Sequence, residues 1–305
     1  VGLVLFAGMY SFIQFLIPGG VFSRDLNAPV ASNTPTERVG GDEGGSGAQN
    51  GDGEKGKFLN FKIATFNILG SKHTDEPGGS KTNWPSASVR LPKAMKILED
   101  KKVTVAAIQE VYPDQREMIR KQYSDTWGLA MGDTRGQGRA VIWRKDDWKL
   151  IKTEYISVPA AGTKKQVFVL LEQKRSGKKI WFMGIHNVNG TDAATRNKRE
   201  ESLKRERNAI NSVKDDGYPI FIAGDFNDGS DGKVSAQCML TPLMTNIFGN
   251  NGSGICGKPR ADTNVDHIFY IHASQIGIQD KNIDKSNIAN KVSDHPLVTA
   301  SITAR

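Results

Sequence analysis

Cysteine is scarce. Among 305 residues only Cys238 and Cys256 occur, too few for a cysteine-rich metal centre or a multi-bridge disulfide framework. No internal repeat is evident, which removes solenoid and propeller architectures. Charge is missing altogether from residues 1–17, a nearly continuous apolar run broken only by Ser11 and Gln14. Glycine, in contrast, is plentiful: there are 32, many of them before residue 58. Residues 18–57, with the Gly40–Gly47 stretch at their centre, are rich in Gly, Ser, Pro, Asn and acidic residues. Such a composition cannot bury a core and reads as a flexible linker.

From residue 58 onward the pattern changes. Short apolar runs, rich in β-branched and aromatic residues, read as buried strands. Four of them end on a polar residue of catalytic type. Phe61–Phe66 ends on Asn67, Val103–Ile108 on Gln109 and Glu110, Ile180–Ile185 on His186, and Pro219–Gly224 on Asp225-Phe226-Asn227. A fifth run, Leu297–Ile302, is instead preceded by Ser293-Asp294-His295-Pro296. If these strands share packed sheets, their ends can bring Asn67, Glu110, His186, Asp225, Asn227, Asp294 and His295 to one rim. Two imidazoles, three carboxylates and two amides form an inventory suited to hydrolysis with a hard cation. The oxygen donors suit Mg²⁺, with Mn²⁺ or Ca²⁺ as alternatives. Taken singly, each residue has an ordinary reading as a turn former or a solvated charge.

With Val265-Asp266-His267-Ile268-Phe269 as a further block, the order T-F-N, Q-E, strand-end His, G-D-F-N, V-D-H-I-F, S-D-H-P resembles the endonuclease/exonuclease/phosphatase superfamily. The resemblance spans residues 58–305. It implies an α/β (α+β) fold, a four-layer sandwich of two packed mixed β-sheets flanked by helices. It also implies divalent-metal-dependent phosphoester cleavage. On this likeness Asn67 and Glu110 are ligands of the main metal, with Asp294 nearby. Asp225 and Asn227 orient and deprotonate the attacking water. His186 and His295 contact the scissile phosphate, and Asp266 holds His295. His267 and His272 are taken as structural.

Two departures bear on substrate. Secreted deoxyribonucleases of this superfamily carry an arginine two residues after the Asn-type ligand and another two after the Glu-type ligand. Leu69 and Tyr112 stand there instead. Those relatives also support the first histidine with a glutamate before the strand matching Arg139–Arg144. Here no carboxylate is present and Gln137 is nearest, so His186 is expected to be less basic.

Two helices are expected outside the sheets. Val89–Asp100 has Leu91, Ala94, Met95 and Leu98 on one face. Ala193–Lys214 mixes Leu203, Ile210 and Val213 with charges of both signs and reads as a solvated amphipathic helix. Between Asn67 and the first helix lies a Gly/Pro/Ser-rich loop, residues 71–88, which carries His73 and Trp84. Loops on an active rim commonly set substrate choice.

The chain carries +8 overall; residues 18–57 hold four Lys/Arg against six Asp/Glu, so the remainder carries about +10. A basic domain suits a polyanionic substrate or an anionic surface. Residues 1–17 read as a membrane anchor or a signal segment, since a span typically needs about 20 residues. The expected location is therefore the cell membrane, single-pass with the catalytic domain outside, or secretion. An exported location favours a Cys238–Cys256 disulfide, a short loop that would stabilise by about 3 kcal/mol; two unpaired thiols are the alternative. The expected activity is a nuclease acting on DNA or RNA as a monomer. A lipid or small-molecule phosphoesterase, of sphingomyelinase or inositol-phosphatase type, is the second reading. A non-catalytic binding protein is the third.

Overall fold

The computed structural model describes residues 58–133, 136–160, 162–228, 236–240, 243–248, 265–271 and 276–305. The anchor, the linker, Cys256, His272 and the side chain of Cys238 lie outside the described residues, and so do the expectations placed on them. No helix among the described residues is long and apolar enough to cross a membrane.

Among the described residues, twelve strands form two six-stranded mixed sheets. The first sheet contains β1 (Leu59–Asn67), β2 (Val105–Val111), β3 (Trp127–Met131), β4 (Gly138–Arg144), β11 (Ile276–Asp284) and β12 (Leu297–Ala304), in the order β11-β12-β1-β2-β4-β3. The second contains β5 (Trp148–Ala160), β6 (Gly162–Gln173), β7 (Lys179–His186), β8 (Ile220–Asp225), β9 (Thr245–Asn246) and β10 (Asp266–Ile271), in the order β5-β6-β7-β8-β10-β9. One parallel pair sits inside each sheet: β1 with β2, and β7 with β8.

The strands form because their apolar side chains alternate between two dry faces. Phe61, Ile63, Val105, Ala107, Phe182, Phe221 and Ala223 fill the space between the sheets. The intervening residues face outward. Ala64, Phe66, Ala106 and Ile108 meet Leu91, Ala94, Met95 and Leu98 of α1 (Ala87–Asp100) and Ile119 of α2 (Pro113–Gln122). Met183, Ile185, Ile220 and Ile222 meet Leu203, Ile210 and Val213 of α3 (Ala193–Val213). The result is the expected four-layer sandwich.

This alternation also builds the site. Asn67 continues the inward-facing row of Phe61 and Ile63. His186 continues that of Phe182, and Asp225 that of Phe221 and Ala223. Where the strands run out, the core-facing row stops being apolar and becomes polar. Small residues let the two rims approach closely. A Cβ on Gly184 would lie 2.8 Å from Val141 Cγ2 and 3.1 Å from the Ala140 carbonyl oxygen across the interface.

The sequence reading of α3 needs one correction. It is not solvated along its whole charged surface. Arg199 and Glu206 are buried, Arg199 donating to the carbonyls of Val188 and Gly190 at 3.0 and 2.6 Å.

Candidate active site

Register sets the geometry. His186 of β7, Asp225 of β8 and Asp266 of β10 stand side by side in one row across the second sheet. Asn67 and Gln109 are paired in the first sheet. Glu110 follows at a β-bulge where the β2–β4 register shifts, and its φ is +62°. The bulge turns its side chain out of the pleat toward the cavity, a use of local backbone strain common at sites. Leu69 (φ +57°) and Asn227 (φ +49°) mark the same rim.

Asp225 is the hub. Its carboxylate accepts from Asn67 Nδ2 at 3.3 Å and from the Asn227 backbone N–H at 3.0 Å. It lies 3.5 Å from His186 Nε2 and 3.8 Å from His295 Nε2. Asp266 Oδ2 sits 2.9 Å from His295 Nδ1. Asn227 is tied back by donation to the Asn187 carbonyl at 2.9 Å. His73, Glu110, His186, Asp225, Asn227 and His295 share the wall of one cavity of about 270 Å³, with Arg139 and Lys164 beside them. Asp294 does not line it; its carboxylate is held 3.4 Å from Lys81 Nζ. His267 is buried away from this cavity, its Nε2 3.4 Å from Asp228.

The electrostatics divide the two histidines. Burial, with Arg139 adding to it, holds His186 well below its ordinary value, so it is neutral at neutral pH. Its Nδ1 is buried without a hydrogen-bond partner, as the missing carboxylate leads one to expect. Burial also opposes charge on His295, but Asp266, Asp225 and Asp294 outweigh it and raise the ring to about 10. His295 is therefore a held cation. Burial raises the Asp225 carboxyl, His295 pulling against the rise and Asp266 adding to it. Glu110 moves the other way: burial is outweighed by its hydrogen bond to His73 and by donation from Gly70 N–H at 2.9 Å, leaving it ionised well below the usual range.

Glu110, on the cavity wall, offers a carboxylate to a hard divalent cation; Asn67 is buried and does not line the cavity, its amide oxygen accepting from Leu69 N–H at 3.1 Å, and Asp294 stands off the cavity. These carboxylates already have basic partners: His73 Nε2 lies 3.3 Å from Glu110 and Lys81 Nζ 3.4 Å from Asp294. A second group, Asp225, Asp266 and His295, has ligand atoms within 4.8 Å of one another. There Asp266 Oδ2 is paired with His295 Nδ1, while Asp266 Oδ1 is buried without a hydrogen-bond partner.

Three residues around the site were not assigned from sequence. His73 had no role beyond its place in a loop. Arg139 clamps the His186 carbonyl from the opposite sheet, its Nε and Nη2 donating at 3.0 and 2.7 Å. Glu206, read as a solvated charge, accepts from Gln166 Nε2 at 2.9 Å and Asn187 Nδ2 at 3.4 Å beneath the His186 loop. Burial raises its carboxyl to about 7. Positions 69 and 112 put no cation on the rim: Leu69 is buried and Tyr112 lies against Gly70.

No protein-family model and no curated protein sequence matches the chain. Its fold does match solved structures, and it is that of the endonuclease/exonuclease/phosphatase proteins. A family protein of that name from Bacteroides thetaiotaomicron superposes with a TM-score of 0.63 at 14% identity, covering 82% of this chain and 99% of that one. A mannosyl-6-phosphatase from the same species gives 0.61 at 12% identity, covering 79% and 99%. D. rerio TDP2, complexed with a single strand DNA product, gives 0.56 at 16% identity, covering 80% and 98%.

Proposed function

We propose that the protein is a divalent-metal-dependent phosphodiesterase that cleaves nucleic-acid backbones. The observation that carries this reading is the convergence on Asp225 of Asn67, His186, Asn227 and His295 from both sheets. A phosphodiester is anionic and repels an anionic nucleophile, so hydrolysis needs positive charge on the phosphoryl oxygens and an oriented water. Glu110 would hold the cation, with Asn67 and Asp294 as the neighbouring oxygen donors. Mg²⁺ or Mn²⁺ there would polarise the phosphoryl group and lower the pKa of bound water. Asp225, steadied by Asn67 and Asn227, orients the attacking water and takes its proton. His295, kept cationic by Asp266, stabilises charge that develops on phosphate. His186, neutral, donates or accepts one hydrogen bond there.

Nucleic acid is favoured by the net charge of about +10 on residues 58–305 and by Lys164 and Arg139 at the cavity. The structural likeness to a protein holding single strand DNA product supports the same class. The absence of arginine at positions 69 and 112 favours single strands over duplex. It also supports the second reading, a lipid or small-molecule phosphoesterase. In either case residues 58–305 are the catalytic unit, proposed to act as a monomer outside the cell. Residues 18–57 would tether it, and residues 1–17 would anchor it to the membrane or direct its export. The deciding experiment incubates the protein and Mg²⁺ or Mn²⁺ with single-stranded DNA, RNA, plasmid, sphingomyelin and inositol phosphates. Cleavage of the nucleic acids is expected; turnover confined to the lipid or the inositol phosphates would replace this reading with the second.

A further inference from the structure

We infer that His73 is itself a ligand of the cation held by Glu110, which makes the site a mixed nitrogen–oxygen centre favouring Mn²⁺ or Co²⁺ over Mg²⁺. The inference rests on the metal reading above and concerns a residue to which that reading gives no role.

Spacing is the first support. His73 Nε2 lies 3.3 Å from Glu110 Oε2. Neighbouring ligands of a six-coordinate ion with bonds near 2.1 Å stand about 3 Å apart. The same spacing fits a weak ion pair, so the second nitrogen matters. Nδ1 of His73 lies 3.1 Å from Ser80 Oγ. A metal-binding imidazole characteristically has its other nitrogen engaged in this way, which fixes the tautomer and the ring plane. With Nδ1 protonated toward Ser80, loss of the Nε2 proton now shared with Glu110 on metal binding would free the Nε2 lone pair for the cation.

The third support is how firmly the loop is built. Ser71 is buried, its hydroxyl donating to Asp114 at 2.7 Å and its N–H to Gln115 Oε1 at 3.1 Å. The Lys81 N–H returns to the His73 carbonyl at 2.8 Å. Position 79 must be glycine, because a Cβ there would lie 2.6 Å from that carbonyl oxygen. Asp75 caps the first N–H of α1 at Ala87 (2.9 Å), and Arg90 donates to Thr74 Oγ1 at 3.0 Å. An imidazole that merely pairs with a surface carboxylate has no need of this frame. His73 sits in it on the cavity wall with Glu110. Imidazole nitrogen suits later divalent metals, whereas Mg²⁺ is bound almost entirely by oxygen.

The test measures Mg²⁺, Mn²⁺ and Co²⁺ binding by calorimetry to the whole chain and to its His73→Ala, His73→Gln and Glu110→Ala variants. Pulsed electron paramagnetic resonance of the Mn²⁺ forms accompanies it. Expected for both His73 variants is a loss of roughly tenfold or more in Co²⁺ and Mn²⁺ affinity with Mg²⁺ affinity little changed. A directly bound ¹⁴N coupling in the wild type should vanish with them. An equal loss for all three ions would make His73 a positioning residue for Glu110 and overturn the inference. A ¹⁴N coupling that survives His73→Ala, or is missing from the metal-loaded wild type, would overturn it as well. Failure of the underlying metal reading looks different: Glu110→Ala would then leave every affinity unchanged, or the wild type would bind no ion.

Discussion

Replacing Asp266 by Asn should discharge His295. The two side chains meet at 2.9 Å, and His295 is raised from 6.5 to about 10 although burial works against its charge. At about 1.36 kcal/mol per pKa unit, the surroundings favour the cation by about 5 kcal/mol. Asp266 is the largest favourable contributor to that preference. An amide keeps the shape and one hydrogen bond but offers no charge, while burial remains. The ring should then titrate well below its wild-type value, with only Asp225 and Asp294 left to support its charge against burial. His295 has a folded value above its unfolded one, so its contribution to stability is complete below about 6.5 and is lost as pH rises through about 10. In Asp266→Asn that loss should shrink and move to lower pH. The assay is the His295 ring titration by NMR, accompanied by kcat/KM against pH. Wild-type activity should decline only as pH approaches about 10, whereas the variant should decline at clearly lower pH. If the variant's ring still titrates near the wild-type value, Asp266 is not what holds the charge, and the reasoning fails.

Three further outcomes follow from the same geometry. Asp225→Asn should lower kcat by about 10²–10⁴, the usual worth of a positioned base, with KM little changed; wild-type kcat should rise with pH above the ordinary carboxylate range because burial raises this group. A folded Asp225→Asn protein with normal turnover would remove the base assignment. Glu206 is raised from 4.5 to about 7, so the stability tied to its protonated form is full below about 4.5 and lost as pH rises through about 7, up to about 3 kcal/mol. Urea titrations of wild type and Glu206→Gln across that window should diverge, the variant showing the shallower fall. Gly184→Ala should cost about 1–3 kcal/mol by overpacking against Val141 and the Ala140 carbonyl; an unchanged urea midpoint would contradict the close approach of the sheets.

The site was legible where polar residues end short apolar runs. Asn67, His186 and Asp225 each end such a run; because both faces of these strands are buried, only the fold shows that all three fall on the row facing the other sheet. The helix expected over Val89–Asp100 is observed as Ala87–Asp100 because its apolar face is continuous. What was not legible depends on contacts far apart in sequence. Nothing in Gln109-Glu110-Val111 announces a bulge; it arises from the β2–β4 register. Arg139 reaches the His186 carbonyl across 47 positions, and Glu206 meets Gln166 across 40. Among the mixed charges of α3, nothing local separates the buried Glu206 from its solvated neighbours Glu200 and Glu201. His73 lies in a loop without periodicity, and only the fold brings it to Glu110.

A phosphodiesterase that works through a cation at Glu110 must lose cleavage when metal is removed. The protein, exhaustively chelated and dialysed free of metal, is assayed on labelled single-stranded DNA and RNA before and after adding Mg²⁺ or Mn²⁺. Cleavage should vanish on chelation and return with either ion, and Glu110→Ala should fail to respond although folded. Full cleavage by the metal-free protein, or a Glu110→Ala variant restored like the wild type, would rule out a cation at Glu110 as the source of activity.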